Sequence, residues 1–385
     1  MGAEPTIGRF PEELLLRELM RVWDAAELAP GVPAAMPGRA GHALPPGFPA
    51  SGCDWNEFLR LVRNHGVAHP VRRAIDHLGE DLVPREVVHS LEQNVFEVRS
   101  YNILLLDRLG KVARHFENER IPFLVLKGLA LQPLLYVDPA ARPSSDLDLL
   151  IRRADLKRTL DTLASAGFNV PRGGERHFWE EWYHHIQLSM GEGMPVSIEI
   201  HWDLELRERY PFPIEEMWQR SVGFSAAGCQ LRTFCPEDQY VHGVVHLARH
   251  FHVPRLVWLM DLRRMARCWK LDWSSIAGRA RSCRGGTALW YAAAYEERVF
   301  GNSFQPAEHR SVLRPLQRVL LKQVQGERPL EPLRDVVAER RRIFATLLFF
   351  DRLADLVRFL SVHGWRKLLR WTGIESLLRR RSRVR

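Results

Sequence analysis

Apolar positions return every three or four residues in "PEELLLRELMRVWDAAEL" (11–28), in "DWNEFLRLVRNHGVAHPVRRAIDHL" (54–78) and in "REVVHSLEQNVFEVRSYNILLLDRLGKVARHFENER" (85–120), which predicts amphipathic helices. Between the first two, "APGVPAAMPGRAGHALPPGFPASG" has no apolar period and reads as a linker. At position 121 the pattern changes. "IPFLVLKG" is a short apolar run entered by Pro and left by Gly, a candidate buried strand; "LALQPLLY" reads as a helix, "VDPAARPSS" as a turn-rich loop and "DLDLLI" as a second strand. "RADLKRTLDTLASAG" follows as a helix stopped by Gly167. "HHIQLSM" and "PVSIEIHWDL", separated by "GEGM", predict a hairpin extending the same sheet. From 236 onward the pattern is mainly helical, as in "EDQYVHGVVHLARHF", "LVWLMDLRRMARCW" and "DVVAERRRIFATLLFFDRLADLVRFL". No internal repeat recurs at a fixed period.

The expected organisation is an N-terminal helix (1–29), a Pro/Gly-rich linker (30–53), a helical lead-in (54–120), an α/β core (121–235), a helical domain (236–362) and a basic tail (363–385). The fold class is α+β, a small mixed sheet flanked by helices on both sides in the chain.

Two acids interrupt the second strand. Strand side chains alternate faces, so Asp146 and Asp148 share one face while Leu147, Leu149 and Ile151 take the other. In "VSIEIHW" the same alternation sets Val196, Ile198, Ile200 and Trp202 on the packed side and Ser197, Glu199 and His201 opposite. If the two strands are neighbours, three carboxylates converge. Such a cluster needs a compensating cation, and oxygen ligands suit Mg²⁺ or Mn²⁺, which borrow further ligands from substrate phosphates. Lys127, Arg142, Ser144 and Ser145 surround the acids in sequence and are candidate phosphate contacts, and His201 is placed to touch phosphate or acceptor.

Composition adds little to this and excludes several classes. With 46% apolar and 26% charged residues, the 385-residue chain is no disordered sequence. Five cysteines form no CxxC pair, and no secretory n-region and apolar h-region opens the chain, so a reducing cytoplasm is expected. No window is long and apolar enough to span a bilayer. The formal charge of +9 is concentrated at 363–385, which carries eight Lys or Arg and one Glu; RNA or an anionic membrane is a candidate partner for that tail. P-loop, GxGxxG and GxSxG motifs are absent. His242, His246 and His250 repeat every four residues without HExxH, and one ion cannot reach all three, so packing or the wall of a cleft is expected of them. Asp261, in an apolar helix, needs a partner such as a salt bridge.

The segments "LVLKGLALQPLLYVDPAARPSSDLDLLI", "HHIQL" and "VSIEIHW" resemble the largely uncharacterised bacterial nucleotidyltransferase family related to DNA polymerase β and minimal nucleotidyltransferases. The resemblance is strongest over 123–202. It implies a polymerase β-like core, Asp146 and Asp148 as metal ligands, Glu199 as third ligand and possible base, Gly128 at the turn beside the nucleotide phosphates, and Mg²⁺-dependent transfer of a nucleoside monophosphate from an NTP such as ATP to a hydroxyl acceptor. Relatives near peptide natural-product genes suggest a modified peptide as acceptor; a small molecule or RNA is the alternative. That superfamily commonly has Ser after the glycine, where this chain has Leu129. A non-catalytic nucleotide sensor or scaffold is therefore the rival reading, and an RNA- or membrane-engaging protein acting through its tail is a third.

Overall fold

The computed structural model describes residues 11–27, 52–171, 183–190, 196–253 and 255–309, with single residues or short runs between 172 and 182 and between 317 and 362. The linker up to residue 51 and the basic tail lie outside the described residues.

Helix α1 (Pro11–Glu27) is followed by α2 (Trp55–His65) and α3 (Ala68–Leu78), and the long α4 spans Arg85–Asn118. The stretch 54–78, one pattern in sequence, is two helices because Gly66 takes the left-handed conformation at φ +67° and donates its N–H to the carbonyls ending α2. Then come β1 (Phe123–Val125), α5 (Lys127–Leu135), β2 (Asp146–Ile151), α6 (Leu156–Ser165), β3 (His185–Met190) and β4 (Val196–His201). A short α7 (Ile214–Gln219) leads into a hairpin, β5 (Val222–Ala226) and β6 (Cys229–Thr233), which the hydrophobic pattern did not predict. Then come α8 (Pro236–Arg249), α9 (Leu256–Cys268), α10 (Trp273–Ser282) and α11 (Gly286–Phe300).

The fold is α+β. Its main sheet has the order β1-β2-β4-β3, with β2 and β4 parallel and the two outer pairings antiparallel. Alternation gives each face its role. Leu147, Leu149, Ile151, Ile198 and Ile200 are fully buried in one apolar cluster with Leu109, Val112 and Phe116 of α4, Leu160 and Leu163 of α6, and Phe224 and Leu231 of the hairpin. The opposite face carries the acids and is covered by the C-terminal helices. A second apolar cluster joins those helices to α1, α2 and α3, so the two ends of the described chain share one core. Its polar hub is Arg263 of α9, which donates to Asp24 of α1 at 2.6 Å and to Glu296 of α11 at 3.0 Å, with its guanidinium over the Phe300 and Phe304 rings. Buried cation and anions on three helices satisfy one another there.

Several histidines are buried as neutral rings. His65, at the end of α2, accepts from the Leu256 N–H at Nδ1 (3.2 Å) and donates from Nε2 to the Leu330 carbonyl (2.8 Å), and burial pushes its pKa down to about 4. Above the ordinary histidine value near 6.5 this ring imposes no protonation penalty on folding. As pH falls from there toward 4, the unfolded chain binds a proton that the native chain refuses, so stability drops across that window, by on the order of 3 kcal/mol for a fully realised shift. His69, also held near 4, adds to the same window. The urea midpoint is expected to fall steadily from pH 6.5 to pH 4.5; a midpoint flat over that range would contradict the assignment of neutral buried rings.

Candidate active site

The parallel register of β2 and β4 aligns Asp146 with Ser197, Asp148 with Glu199 and Leu150 with His201. Asp148 and Glu199 are therefore direct cross-strand neighbours on the face turned away from the core. Two cations hold them together. Lys127 Nζ lies 2.8 Å from Asp148 Oδ1, and His201 Nε2 lies 2.9 Å from the same oxygen and 3.2 Å from Glu199 Oε2. Burial alone would raise the pKa of Asp148, but Lys127 and His201 outweigh it and hold this carboxyl well below its usual range. Burial is likewise outweighed at Glu199 by His201, and at His201 by the two carboxylates, which raise the imidazole's pKa. Asp146 fares differently: burial first and the Asp148 charge second push it up to about 6. It forms no ion pair among the described residues; its side chain accepts from Ser145.

Lys127 reaches Asp148 because of its backbone. The Leu126 N–H donates to the Asp148 carbonyl at 2.9 Å, extending the β1–β2 pairing, and Lys127 then turns into α5 at φ +46°, a left-handed conformation that costs an L residue about 1–2 kcal/mol. Gly128 follows. A Cβ there would fall 2.5 Å from Ser144 Oγ and closer still to Arg142 Nη1, so only glycine lets the 142–145 loop lie on the start of α5. Leu129 points into the sheet core, 1% exposed, and Ser144 brings a hydroxyl to the helix start from the loop instead.

Arg142 is not free for a ligand. Its Nε and Nη2 donate to Asp261 of α9, the latter at 2.8 Å, while Nη1 donates to Pro143 O and Ser144 Oγ; Tyr136 OH completes Asp261 at 2.7 Å. The partner expected for Asp261 is thus Arg142, and the arginine anchors the loop to the helical region. Asn102, buried in α4, shapes the same loop: its amide donates to Pro139 O and Arg142 O and its Oδ1 accepts from Ser144 N–H. Sequence reasoning passed over it, although an Asn inside the apolar "SYNILLL" was a visible anomaly.

These groups line a cavity of about 320 Å³ between the sheet face and helices α8 and α9, within the size range of small-ligand sites. The far wall includes His242, His246, Arg249, His250, Arg255 and Trp258. Burial lowers His242 and His250 to about 3 and His246 well below its usual value, so these rings are neutral wall groups. The three histidines expected to pack or to wall a cleft do the latter.

The donor set suits a divalent cation. Ligand atoms of Asp148, Glu199 and His201 all lie within 4.8 Å of one another, and the Asp146 carboxylate stands on the same sheet face two residues away. Asp148 and Glu199 of the expected trio meet beside His201, while Asp146, opposite Ser197, lies on the same face two residues along the strand.

A family model described as an uncharacterised nucleotidyltransferase matches residues 51–301, well over half of the chain. The chain belongs to that family. The match contains the sheet, the loop 142–145 and the cavity wall of this nucleotidyltransferase-family chain. A solved structure, described as the crystal structure of an antigenic nucleotidyltransferase-like protein from Paracoccidioides brasiliensis, is similar over 43% of this chain and 76% of the other at 16% identity, with a TM-score of 0.29. No curated protein matches the chain. Among the described residues no helix is long and apolar enough to cross a membrane, and all five cysteines are free.

Replacing Arg142 by Met leaves Asp261 buried with only Tyr136, and is expected to destabilise the fold by about 3–5 kcal/mol in chemical denaturation. Met at Arg255, on the cavity wall, should cost less than about 1 kcal/mol by the same measurement. Gly128→Ala is expected to cost about 1–3 kcal/mol, since the buried guanidinium cannot step aside.

Proposed function

We propose that the chain transfers a nucleoside monophosphate from an NTP to a hydroxyl-type acceptor with release of pyrophosphate, in a divalent-metal-dependent reaction. The observation that carries this reading is the pairing of Asp148 with Glu199 across β2 and β4 at the floor of a cavity whose rim includes Lys127 and the first turn of α5. Family membership supports nucleotidyl transfer in general. Asp146, Asp148 and Glu199 would hold a Mg²⁺ or Mn²⁺, which would supply neutralisation of the triphosphate and polarisation of the reacting phosphorus centre.

The chain's own residues do the rest. Lys127 keeps Asp148 ionised and leaves a positive charge beside the phosphates. Leu126 at the N-cap of α5 has no side-chain acceptor, so the amide groups of that first turn are available to an anion, and Ser144 and Ser145 add hydroxyls at the same point. Arg142 acts by fixing the loop. Glu199, an ionised carboxylate on the same sheet face, is placed to accept the proton of an acceptor hydroxyl, with Asp146 beside it as the alternate. Arg249, Arg255 and Trp258 provide charge and an aromatic face for the nucleotide or the acceptor. A peptide, small molecule or RNA acceptor is compatible with this wall.

A nucleotide sensor is the second reading, favoured by Leu129 pointing into the core where a phosphate-binding hydroxyl is common. Incubation with each NTP and Mg²⁺, read by pyrophosphate release and by mass spectrometry of candidate acceptors, separates the two. Asp148→Asn and Glu199→Gln are each expected to lower transfer by at least about 1,000-fold while the far-UV spectrum is unchanged. Pyrophosphate release at the wild-type rate by Asp148→Asn would sink the reading; nucleotide binding without turnover in the wild type would favour the sensor.

A further inference from the structure

Beside the carboxylates lies a histidine cluster that enters the carboxylate site only through the contact of His201 with Asp148 and Glu199. His184 precedes β3 and His185 opens it, and antiparallel pairing sets His185 directly across from His201. Their ring centroids lie 4.5 Å apart for His184 and His185, 5.0 Å for His185 and His201, and 6.1 Å for His184 and His201. One ring nitrogen of each falls within 4.8 Å of those of the other two. All three Nδ1 atoms are buried with no hydrogen-bond partner among the described residues, although His184 and His201 are 4% and 2% exposed. Other buried polar atoms among the described residues also lack a partner, but these three sit on adjacent rings, which points to a common partner.

His201 indicates which partner. Its Nε2 faces Asp148 and Glu199, so its Nδ1 is the nitrogen left for a ligand, the arrangement in which a carboxylate orients a metal-bound imidazole. Positive groups nearby are Lys127, already on Asp148, and Arg249, whose Nε is paired with Glu205 at 3.1 Å and whose Nη1 makes a long 3.4 Å contact to His184 Nε2. That weak contact is the one that yields when His184 ligates through Nδ1. His185 borders the cavity, which leaves an entry path and an open fourth position.

We propose that His184, His185 and His201 form a binding site for a borderline divalent transition ion such as Zn²⁺ or Co²⁺, next to the carboxylate pair and distinct from a Mg²⁺ site. Three imidazole nitrogens select such an ion, while Mg²⁺ prefers oxygen. At Nδ1 of His201 the ion replaces a ring proton, so the positive charge facing Asp148 and Glu199 is kept. This inference goes beyond nucleotidyl transfer and does not rest on it.

The full chain, stripped with chelator, is titrated with Co²⁺ and followed by visible absorption, then with Zn²⁺ by calorimetry in excess Mg²⁺. One equivalent per chain is expected, with an intense four-coordinate Co²⁺ band that Zn²⁺ abolishes and Mg²⁺ does not. His185→Ala is expected to weaken Co²⁺ binding by on the order of 100-fold or more, and Asp148→Asn, which removes only the orienting carboxylate, by about 10-fold. No band and no Zn²⁺ heat in the wild type would overturn the proposal, whatever the variants do. So would full Co²⁺ binding by folded His185→Ala alongside loss in Asp148→Asn, which would assign the ion to the carboxylates. Because none of these readouts involves an NTP, failure here and failure of nucleotidyl transfer are told apart.

Discussion

Two carboxylates held side by side repel, and the arrangement of this molecule around β2 and β4 answers that repulsion. The parallel register leaves Asp148 and Glu199 no room to separate, since sliding either strand by one residue would drive the acids into the apolar layer and bring Leu147 or Ile198 out of it. Compensation must therefore come from other residues. Lys127 arrives through a backbone kink, and His201 arrives from two residues further along β4 and spans both acids. Neither cation is an ornament on a site that would stand without it.

The support of the loop 142–145 follows the same logic at longer range. Nothing in the loop's own sequence determines its path; Asn102 from α4 ties down its carbonyls, Asp261 from α9 holds its arginine, and Gly128 clears the space beneath. Each of these is a polar group buried with its bonding satisfied, which gives the loop one conformation rather than several. A hydroxyl then reaches the start of α5 from Ser144, while the residue after the glycine is released to serve the core.

What was legible in the sequence was what a two-residue or a 3.6-residue period encodes. The alternation in "DLDLLI" and "VSIEIHW" set the acids and their apolar neighbours on opposite faces, and the long helix at 85–118 and the β3–β4 hairpin were equally plain. Arg142 borders the cavity, but its pairing with Asp261 comes from 119 positions away, and no local pattern records that. His201 was placed on the correct face, yet its role as a bridge depended on exact register. The β5–β6 hairpin escaped because "VGFSA" and "CQLRT" are too short and too mixed to carry a period.

Arg263 has a bearing on how the polypeptide can be cut. Its charge is balanced by Asp24 as well as Glu296, and the helix that brings Asp24 also lays Leu15, Leu16, Leu19, Met20 and Trp23 into the shared core. Trimming back to 51–301, the stretch that defines the family, would strand half of that charge balance and bare a greasy flank on the helices that roof the cavity. Recombinant pieces chosen by family boundaries should thus be poorly behaved, whereas those that begin before Pro11 keep the roof sealed.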